Sequence, residues 1–448
     1  MVPWLDQASI KVLIFSALVL SLSGVVQASD DFFADIEFEL EDDEETMMSD
    51  FNLSGHLEQG LSYGLQAPSS TGFDRDKKGL ESFDTSLYLA YEQDMSDDLL
   101  IKAAFDLSVD WTDWQGGELN YNSQNRDFVW RDVYVDWVDD ELWLRAGNQI
   151  LAWGESDVLA ITDVVNPRDL TQLGQADLED IRLQVPALFM SHPWMGGQAE
   201  MALIYEAGGN EAADSGDAFD PFVSYTNAGL KVSEQDPENQ LEWVTRFYQR
   251  FNGGDLAFTL AEVNWDEGSA TEFVNTNELV FQASRVKVLG VSGSWVKGDY
   301  LFKYDLAQHW GKALQPDTVT SAPWQEYDQT LAAVILEFSG VDEWVFSLEL
   351  DSSYTHDYTT ELASKEKAHG YFAQARWTTL NDQLTSQFSV LGLLGGEGHV
   401  YRLSSDYDIY DGTTIGSEYV IYSVDSESDD LYAYRNQDVV KLHYSYHF

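Results

Sequence analysis

The stretch Leu99–Trp111 reads LLIKAAFDLSVDW and carries the pattern on which the fold depends. Every second residue from Leu99 to Trp111 is apolar, whereas Lys102, Asp106 and Asp110 stand between them. Side chains alternate between the two faces of a β-strand. A period of two therefore predicts a strand with one apolar and one polar face.

The same alternation returns in Phe51–Leu65, Leu241–Phe247, Tyr300–Leu306 and Val440–Phe448. With the alternation followed to Arg250 and His309, most of these segments are roughly 9 to 13 residues long, the length that a tilted strand needs to cross a membrane. Their apolar faces tend to end in aromatic residues, as at interfaces with lipid headgroups: Tyr63, Tyr91, Trp111, Trp137, Trp310, Trp344 and Trp377. The pattern predicts an all-β transmembrane antiparallel up-and-down barrel rather than a soluble sandwich, which would bury its apolar faces.

Short and long connections alternate along the chain, as periplasmic turns and external loops do in outer-membrane barrels. The alternation predicts about 16 strands, long external loops and both termini on the periplasmic side. His399–Asp408 and Thr414–Ser423 form either a hairpin on the external rim or two further strands, which would raise the count to about 18. With no linker in between, residues 51–448 are expected to form one barrel domain.

The N-terminal residues predict export. Residues 1–28 have the apolar run and the small-residue cleavage pattern of a signal peptide. Residues 29–50 form a strongly acidic periplasmic tail, expected to be solvated. Its aromatic and aliphatic residues leave open whether part of it plugs the lumen.

Composition excludes several classes of function. The formal net charge of −54 argues against a nucleic-acid partner, because binding phosphates needs a basic surface. The chain has no cysteine, which rules out disulfides, thiolate metal sites and thiol catalysis.

The alternation stops between Arg145 and Pro186, which reads RAGNQILAWGESDVLAITDVVNPRDLTQLGQADLEDIRLQVP. Charged residues and turn formers are dense here, and long loops in compact proteins are commonly functional. The residues that we single out as a loop motif are Arg145, Gln149, Trp153, Gly154, Glu155, Asn166, Pro167, Arg168, Asp169, Glu179 and Arg182.

Three motifs in this stretch carry a resemblance to a known family. R-x-G-x-Q-x-x-x-W-G-E-S begins at Arg145, N-P-x-D at Asn166 and P-A-L at Pro186. Together they resemble the proteobacterial outer-membrane barrels grouped as "domain of unknown function 1302". The resemblance is sharpest over Arg145–Leu188 and fainter over Tyr300–Trp310. It implies a barrel in the outer membrane of a Gram-negative bacterium, without implying a substrate.

By its position as the third external loop, Ile150–Asp180 is expected to fold into the lumen, as the third loop of general porins does. Its apolar residues Val158, Leu159, Ile161, Val164 and Val165 would then be covered by the wall. The pairs Arg168–Asp169 and Glu179–Arg182 are candidates for a transverse field across a constriction. Alternatively, the polar residues of the motif serve only to pin the loop to the wall.

The polar strand faces predict a mixed lumen, which leaves ion selectivity open. The lumen residues singled out are Arg246, Arg250, Lys303, Asp305 and Arg376. The C-terminal strand ends in Tyr446 and Phe448, which resembles the assembly signal of outer-membrane barrels and implies the barrel assembly machinery as a partner.

These features predict a channel or porin-like conduit for a small or amphipathic solute that does no chemistry. An outer-membrane rim hydrolase and a structural barrel that anchors an envelope complex are the alternatives. The sequence has no G-x-S-x-G or H-E-x-x-H motif, and its eight histidines are scattered singly. We expect no cofactor or metal, outer-membrane lipid and lipopolysaccharide as partners, and either a homotrimer or a monomer.

Overall fold

The computed structural model describes residues 52–65, 79–112, 114–115, 118–119, 126–172, 174–176, 180–205, 208–213, 219–235, 241–275, 278–315, 325–394, 398–426 and 429–448. The predicted signal peptide and acidic tail lie outside these residues. Residues Leu53–Phe448 form one compact unit. No helix in the described part of the chain is long and apolar enough to span a membrane.

Eighteen antiparallel strands form one sheet that closes on itself. In chain order they are β1 (Leu53–Gly64), β2 (Gly79–Ser96), β3 (Leu99–Asp110), β4 (Arg126–Val138), β5 (Trp143–Gln149), β6 (Val185–Trp194), β7 (Gly197–Tyr205), β8 (Leu241–Phe251), β9 (Gly254–Asn264), β10 (Arg285–Lys297), β11 (Tyr300–Ala313), β12 (Glu326–Val341), β13 (Trp344–Thr355), β14 (Lys367–Thr379), β15 (Leu384–Leu393), β16 (His399–Tyr410), β17 (Thr413–Ser423) and β18 (Val439–His447).

Closure occurs between β1 and β18, where His56 stands opposite His447. Just beyond this register, Gly55 and Phe448 exchange two backbone hydrogen bonds of 2.9 Å. The barrel therefore has no free sheet edge, which is what a lipid environment requires of a sheet.

The preferred count of about 16 strands is wrong, and the alternative of 18 is confirmed. β16 pairs with β15 and β17 over its full length, and β17 pairs with β18. The residues first considered for a rim hairpin are thus wall strands, joined by a tight turn at Gly412 (φ +75°). The prediction counted β16 and β17 within one long loop because their sequences are as polar as that of a loop.

Smaller elements lie outside the barrel wall. Their bounds are Trp114–Gln115 and Glu118–Leu119 (a short hairpin), α1 (Val223–Asn227), Lys231–Gln235, Ser269–Asn275 and Glu278–Gln282 (a three-stranded sheet), and the 3-10 helix Asp430–Tyr434.

The outer face of the wall is apolar, as the alternation predicted. On β12, Val334 is 57% exposed while its neighbour Ile335 is 2% exposed, so successive residues point outward and inward. Aromatic side chains cluster on the outer face near the short turns. For example, Trp344 and Trp377 stand opposite each other on β13 and β14, with ring centroids 5.8 Å apart.

The inner face departs from the predicted wet lumen along one arc. From β6 to β12 the inward residues are mostly apolar and belong to a buried core; they include Val185, Ile204, Val244, Val286 and Ile335. These strands carry apolar side chains on both faces because lipid covers one face and protein covers the other.

Candidate functional site

The described residues of the connection between β5 and β6, namely 150–172, 174–176 and 180–184 and hereafter L3, lie inside the barrel. The hydroxyl of Thr162 donates a hydrogen bond to Asp305 on β11, 2.9 Å from one carboxylate oxygen. The backbone N–H of Glu155 donates to the other oxygen at 3.3 Å. Since β11 is several strands away from β5 and β6 in the sheet, L3 reaches across the interior. This confirms the predicted inward fold of the third long loop.

Two further polar residues of the inner wall hold L3. Glu349 on β13 accepts hydrogen bonds from the Ser156 hydroxyl at 2.5 Å and from the Asp157 backbone at 2.9 Å. The fully buried His309 ring lies 2.8 Å from the carbonyl oxygen of Ile161. Sequence reasoning did not identify this role for Glu349 or His309. The sequence carries no signal for this role, because other inward positions on the same two strands are also polar, for example Lys303 and Asp351.

The apolar side of L3 is covered by the wall, as predicted. Ile161, Val164 and Val165 are at most 5% exposed and share one core with Val286 and Val288 of β10. Val158 and Leu159 are half-buried beside them. Burying such side chains contributes about 1.5–3 kcal/mol each, so this face anchors L3 firmly.

The neck of L3 is closed by Asn166. Its side-chain oxygen accepts from the backbone N–H of Leu151 at 2.7 Å, and its amide donates to the carbonyl oxygens of Leu183 at 2.7 Å and Gln149 at 3.3 Å. The Gln149 side chain donates to the carbonyl of Ala187 at 2.9 Å. These two motif residues therefore tie both ends of L3 to each other and to β6.

Trp153, Gly154 and Pro167 shape the buried part of L3. Trp153 is 5% exposed and contacts Phe189 of β6, and Pro167 is also buried. A Cβ atom on Gly154 would lie 2.8 Å from the Cβ of Asp163, closer than real Cβ contacts. Because Gly154 has no side chain, two segments of L3 come into contact after Trp153. A larger residue at position 154 would hold them apart.

Burial raises the pKa of Glu155 in L3 above its ordinary value, and the nearby carboxylate of Asp255 adds to this effect. The positive charges of Lys303 and Arg246 oppose the shift. Glu155 therefore lies in a half-buried site that disfavours its charged form.

The predicted Glu179–Arg182 pair cannot be compared with the structure, because Glu179 lies outside the described residues. Arg182 pairs with Asp163 within L3, at 2.8 Å. The Asp169 carboxylate accepts from Thr171, and the backbone of Arg168 bonds to Asn210 and Glu211. A transverse field set by these charges stays a prediction.

The other predicted lumen residues lie on the inner wall with neighbours of their own. Arg145 pairs with Asp136 at 2.6 Å, Arg246 with Glu200 at 3.6 Å and Lys303 with Glu337 at 2.6 Å. Arg376 donates to Gln387 at 3.2 Å, and Arg250 donates to Tyr248 at 2.9 Å. Asp305, only 1% exposed, is covered by L3 and does not face water.

Open space remains on the opposite side of L3. A cavity of about 810 Å³ is lined by L3, by residues 211–213 with Phe219, and by the inner wall of β1–β3 and β15–β18. L3 also contacts this wall, where the Lys441 ammonium donates to the Gln172 side chain at 2.7 Å. The carboxylate side chains of the cavity are Glu58, Glu81, Asp84, Asp110, Asp180, Glu211, Asp406 and Glu418. Arg402, Lys441 and His443 are the basic and titratable nitrogen side chains in the same lining. We call this cavity the passage; carboxylates clearly outnumber cations in it.

Two of the singly placed histidines contact hydroxyl groups of the wall. His356 lies 2.8 Å from the Thr330 hydroxyl, and His399 lies 3.0 Å from the hydroxyl of Tyr371. Among the described residues, no group of three or more His, Asp or Glu side chains is arranged to hold a metal ion.

Solved outer-membrane proteins share this architecture. The outer membrane protein OpdK from Pseudomonas aeruginosa has a TM-score of 0.50 and 10% identity, over 89% of this chain and 99% of its own. OccK8 (OprE) from the same organism has a TM-score of 0.53 and 10% identity, over 89% and 98%. P. aeruginosa OccK2 (OpdF), solved with glucuronate, has a TM-score of 0.52 and 11% identity, over 89% and 98%. At these identities the likeness is one of fold, that of outer-membrane channels.

No curated protein matches the sequence significantly. The resemblance seen in the motifs of L3, by contrast, extends over most of the barrel. The model of the family described as "Protein of unknown function (DUF1302)" matches residues 91–448, and the chain belongs to that family.

Proposed function

We propose that the protein is a passive channel of the bacterial outer membrane, with both termini on the periplasmic side, that conducts small solutes past L3 without chemistry. Two observations support it: the wall is closed with an apolar outer face, and a cavity of about 810 Å³ with a largely polar lining remains beside L3. Solutes cross through the passage because its lining is polar, whereas the core between L3 and β6–β12 is apolar and buried.

The single observation that carries this proposal is the charge of the passage. Eight carboxylates line it against Arg402 and Lys441, with His443 in addition. Fixed charges of one sign in a narrow aqueous space concentrate counter-ions and exclude ions of the same sign. The passage should therefore favour cations and neutral polar solutes over anions.

This preference would set the chain apart from one protein of similar fold. OccK2 was solved with glucuronate, which carries a carboxylate. Free carboxylates should be repelled by the acidic lining proposed here as the route. A cationic or neutral small solute, including an amphipathic one, fits the passage better.

Reversal potentials in planar bilayers test both parts of the proposal. Refolded mature protein should give discrete conductance steps, and a potassium chloride gradient should give a reversal potential of the sign for cation preference. Absence of any conductance step would refute the proposal of an open channel. Steps with a reversal potential of anionic sign would keep the channel but overturn the role of the carboxylates.

A further inference from the structure

A second, smaller cavity of about 160 Å³ lies between L3 and the inner wall at β9–β12, and it shares no lining residue with the passage. Its lining includes the apolar residues Val158, Leu159 and Leu331. It also includes the charged residues Arg168, Asp266, Glu267 and Lys312. A concave space lined by both apolar and charged side chains is typical of a site for a small amphipathic molecule.

Arg168 is the first of two cations in this cavity. Its Nη2 atom is buried without a hydrogen-bond partner among the described residues, and Nη1 makes only a long contact, 3.4 Å, with the carbonyl oxygen of Val158. Buried guanidinium groups are normally fully hydrogen-bonded, because an unmet charged donor is unfavourable. The guanidinium is thus short of an acceptor.

Lys312 is the second cation, and it is 9% exposed. Its ammonium lies 3.9 Å from the centre of the Trp265 ring and 3.9 Å from the nearest oxygen of Glu267. The ion pair is therefore longer than a hydrogen bond, and the side chain of Glu267 is 64% exposed, so water screens that charge.

The acidic groups near Arg168 do not balance both cations. Asp163 is engaged by Arg182 at 2.8 Å, so this pair is neutral as a unit. Burial raises the pKa of Asp266 well above its ordinary value, and the carboxylate of Glu242 adds to the shift. Arg168 and Lys312 thus face Asp266, whose burial disfavours its charged form, and the water-screened carboxylate of Glu267.

We propose that this cavity is a binding site for a small amphipathic monocarboxylate, held by Arg168 from L3 and by Lys312 from the wall. Its carboxylate supplies the acceptor that the Arg168 guanidinium is missing. Its apolar body packs against Val158, Leu159 and Leu331. A cavity of about 150 Å³ in a protein accommodates a benzene molecule, so the body is no larger than a single ring.

Such a ligand would join L3 to the wall, and the site goes beyond the proposed conduction. Because binding is measured without a membrane potential, the two proposals fail independently. If the protein binds the probe but does not conduct, the binding site is supported and the channel is refuted. If it conducts but does not bind the probe, the channel is supported and the binding site is refuted.

Titration of the refolded full-length barrel in detergent with benzoate tests the site, with calorimetry or the fluorescence of Trp265 as the readout. We expect saturable binding of one benzoate per chain. A charge-assisted hydrogen bond is worth enough that Arg168→Gln and Lys312→Gln should each weaken binding at least about tenfold. Lys231→Gln removes a positive charge from an exposed rim position and should leave binding unchanged.

Two ring compounds of similar size test the class of ligand. Benzyl alcohol, which lacks the charge, should bind at least about tenfold more weakly, and benzylamine should not bind. Equal or tighter binding of benzylamine would show that Asp266 and Glu267 dominate the cavity and would overturn the proposal. Lack of saturable benzoate binding would do the same.

Asp266→Asn keeps the test decisive even if the cation variants fail to fold. Benzoate binding to the unaltered protein should weaken as pH rises through the raised pKa of Asp266, because the new carboxylate repels the ligand. The amide of Asp266→Asn stays neutral, so this weakening should be reduced. Identical pH profiles in both proteins would refute the arrangement of charges.

Discussion

The hydroxyl of Thr162 and the carboxylate of Asp305, 143 residues apart in sequence, lie 2.9 and 3.0 Å apart for the two carboxylate oxygens. Thr162 is in L3, Asp305 is on β11, and both are buried. The contact places a charged group of the wall under the loop rather than in water. Together with the contacts of Glu349 and His309, it attaches L3 to the wall.

Replacing Asp305 with Ala should loosen L3. The change leaves the Glu155 backbone N–H without its acceptor and leaves the Thr162 hydroxyl with only the Trp153 carbonyl, which costs about 1–3 kcal/mol. We expect trypsin to cut at Arg168 or Arg182 faster than in the unaltered protein, and single-channel current to become larger and noisier. Asp305→Asn retains an acceptor oxygen and should lie in between. Asp132→Asn, on a different part of the wall, is the control, and equal cutting in all the proteins would refute the attachment.

Replacing Gly290 on β10 with a larger residue should push L3 away from the wall. A Cβ atom at Gly290 of β10 would lie 2.3 Å from a methyl carbon of Thr162, so the loop packs directly on the backbone there. Gly290→Val should lower the unfolding free energy by about 1–3 kcal/mol, as overpacked cores do. Thermal unfolding in detergent measures it. Gly208→Ala, where a Cβ meets nothing within 4 Å, should have little effect, and equal melting of both variants would argue against close packing.

The packing of L3 should depend on pH through Glu155. Its folded pKa is raised from an ordinary value of 4.5 by burial. A carboxyl with a raised folded pKa stabilises the folded state below its unfolded pKa, and this contribution is lost as pH rises through the folded pKa. We therefore expect trypsin cutting in L3 to increase from about pH 4.5 upward. In Glu155→Gln this increase should be smaller, and an unchanged profile would assign the dependence to another group.

Neutralising the passage should reduce its preference for cations. Glu58→Gln combined with Asp84→Asn removes two of the carboxylates that line it. The ratio of cation to anion permeability, taken from reversal potentials, should fall, and the effect should be larger at low salt because screening is weaker. Glu361→Gln, on an exposed loop, serves as the control. An unchanged ratio in the double variant would mean that ions take another route.

Removing Phe448 should impair closure of the barrel. Phe448 exchanges two backbone hydrogen bonds of 2.9 Å with Gly55 at the seam between the first and last strands. Its ring lies on the outer face beside Tyr446, with centroids 6.1 Å apart. Deletion should lower the fraction of protein that migrates as a folded, heat-modifiable barrel. Tyr446→Ala keeps the backbone pairing and should therefore give more folded protein than the deletion of Phe448. If Tyr446→Ala gave less folded protein than the deletion, the aromatic side chain would matter through recognition rather than through closure of the barrel.

The sequence by itself determined the class of fold. Alternation such as that of Leu99–Trp111 depends only on the geometry of a strand and on the polarity of its two sides, so it is readable without tertiary contacts. The same local logic located L3, since the alternation ends at Gln149, and it predicted that Ile161, Val164 and Val165 would be covered.

Only the tertiary structure decided what L3 is attached to and where the open route lies. Asp305 and Glu349 occupy inward positions that look identical in sequence to water-facing ones, and the pairing of Arg182 with Asp163 was not predicted. Alternation distinguishes two faces of a strand but not water from protein as the neighbour of the inner face. That distinction depends on contacts between residues more than a hundred positions apart, such as Thr162 and Asp305, and these form only when the barrel closes around the loop.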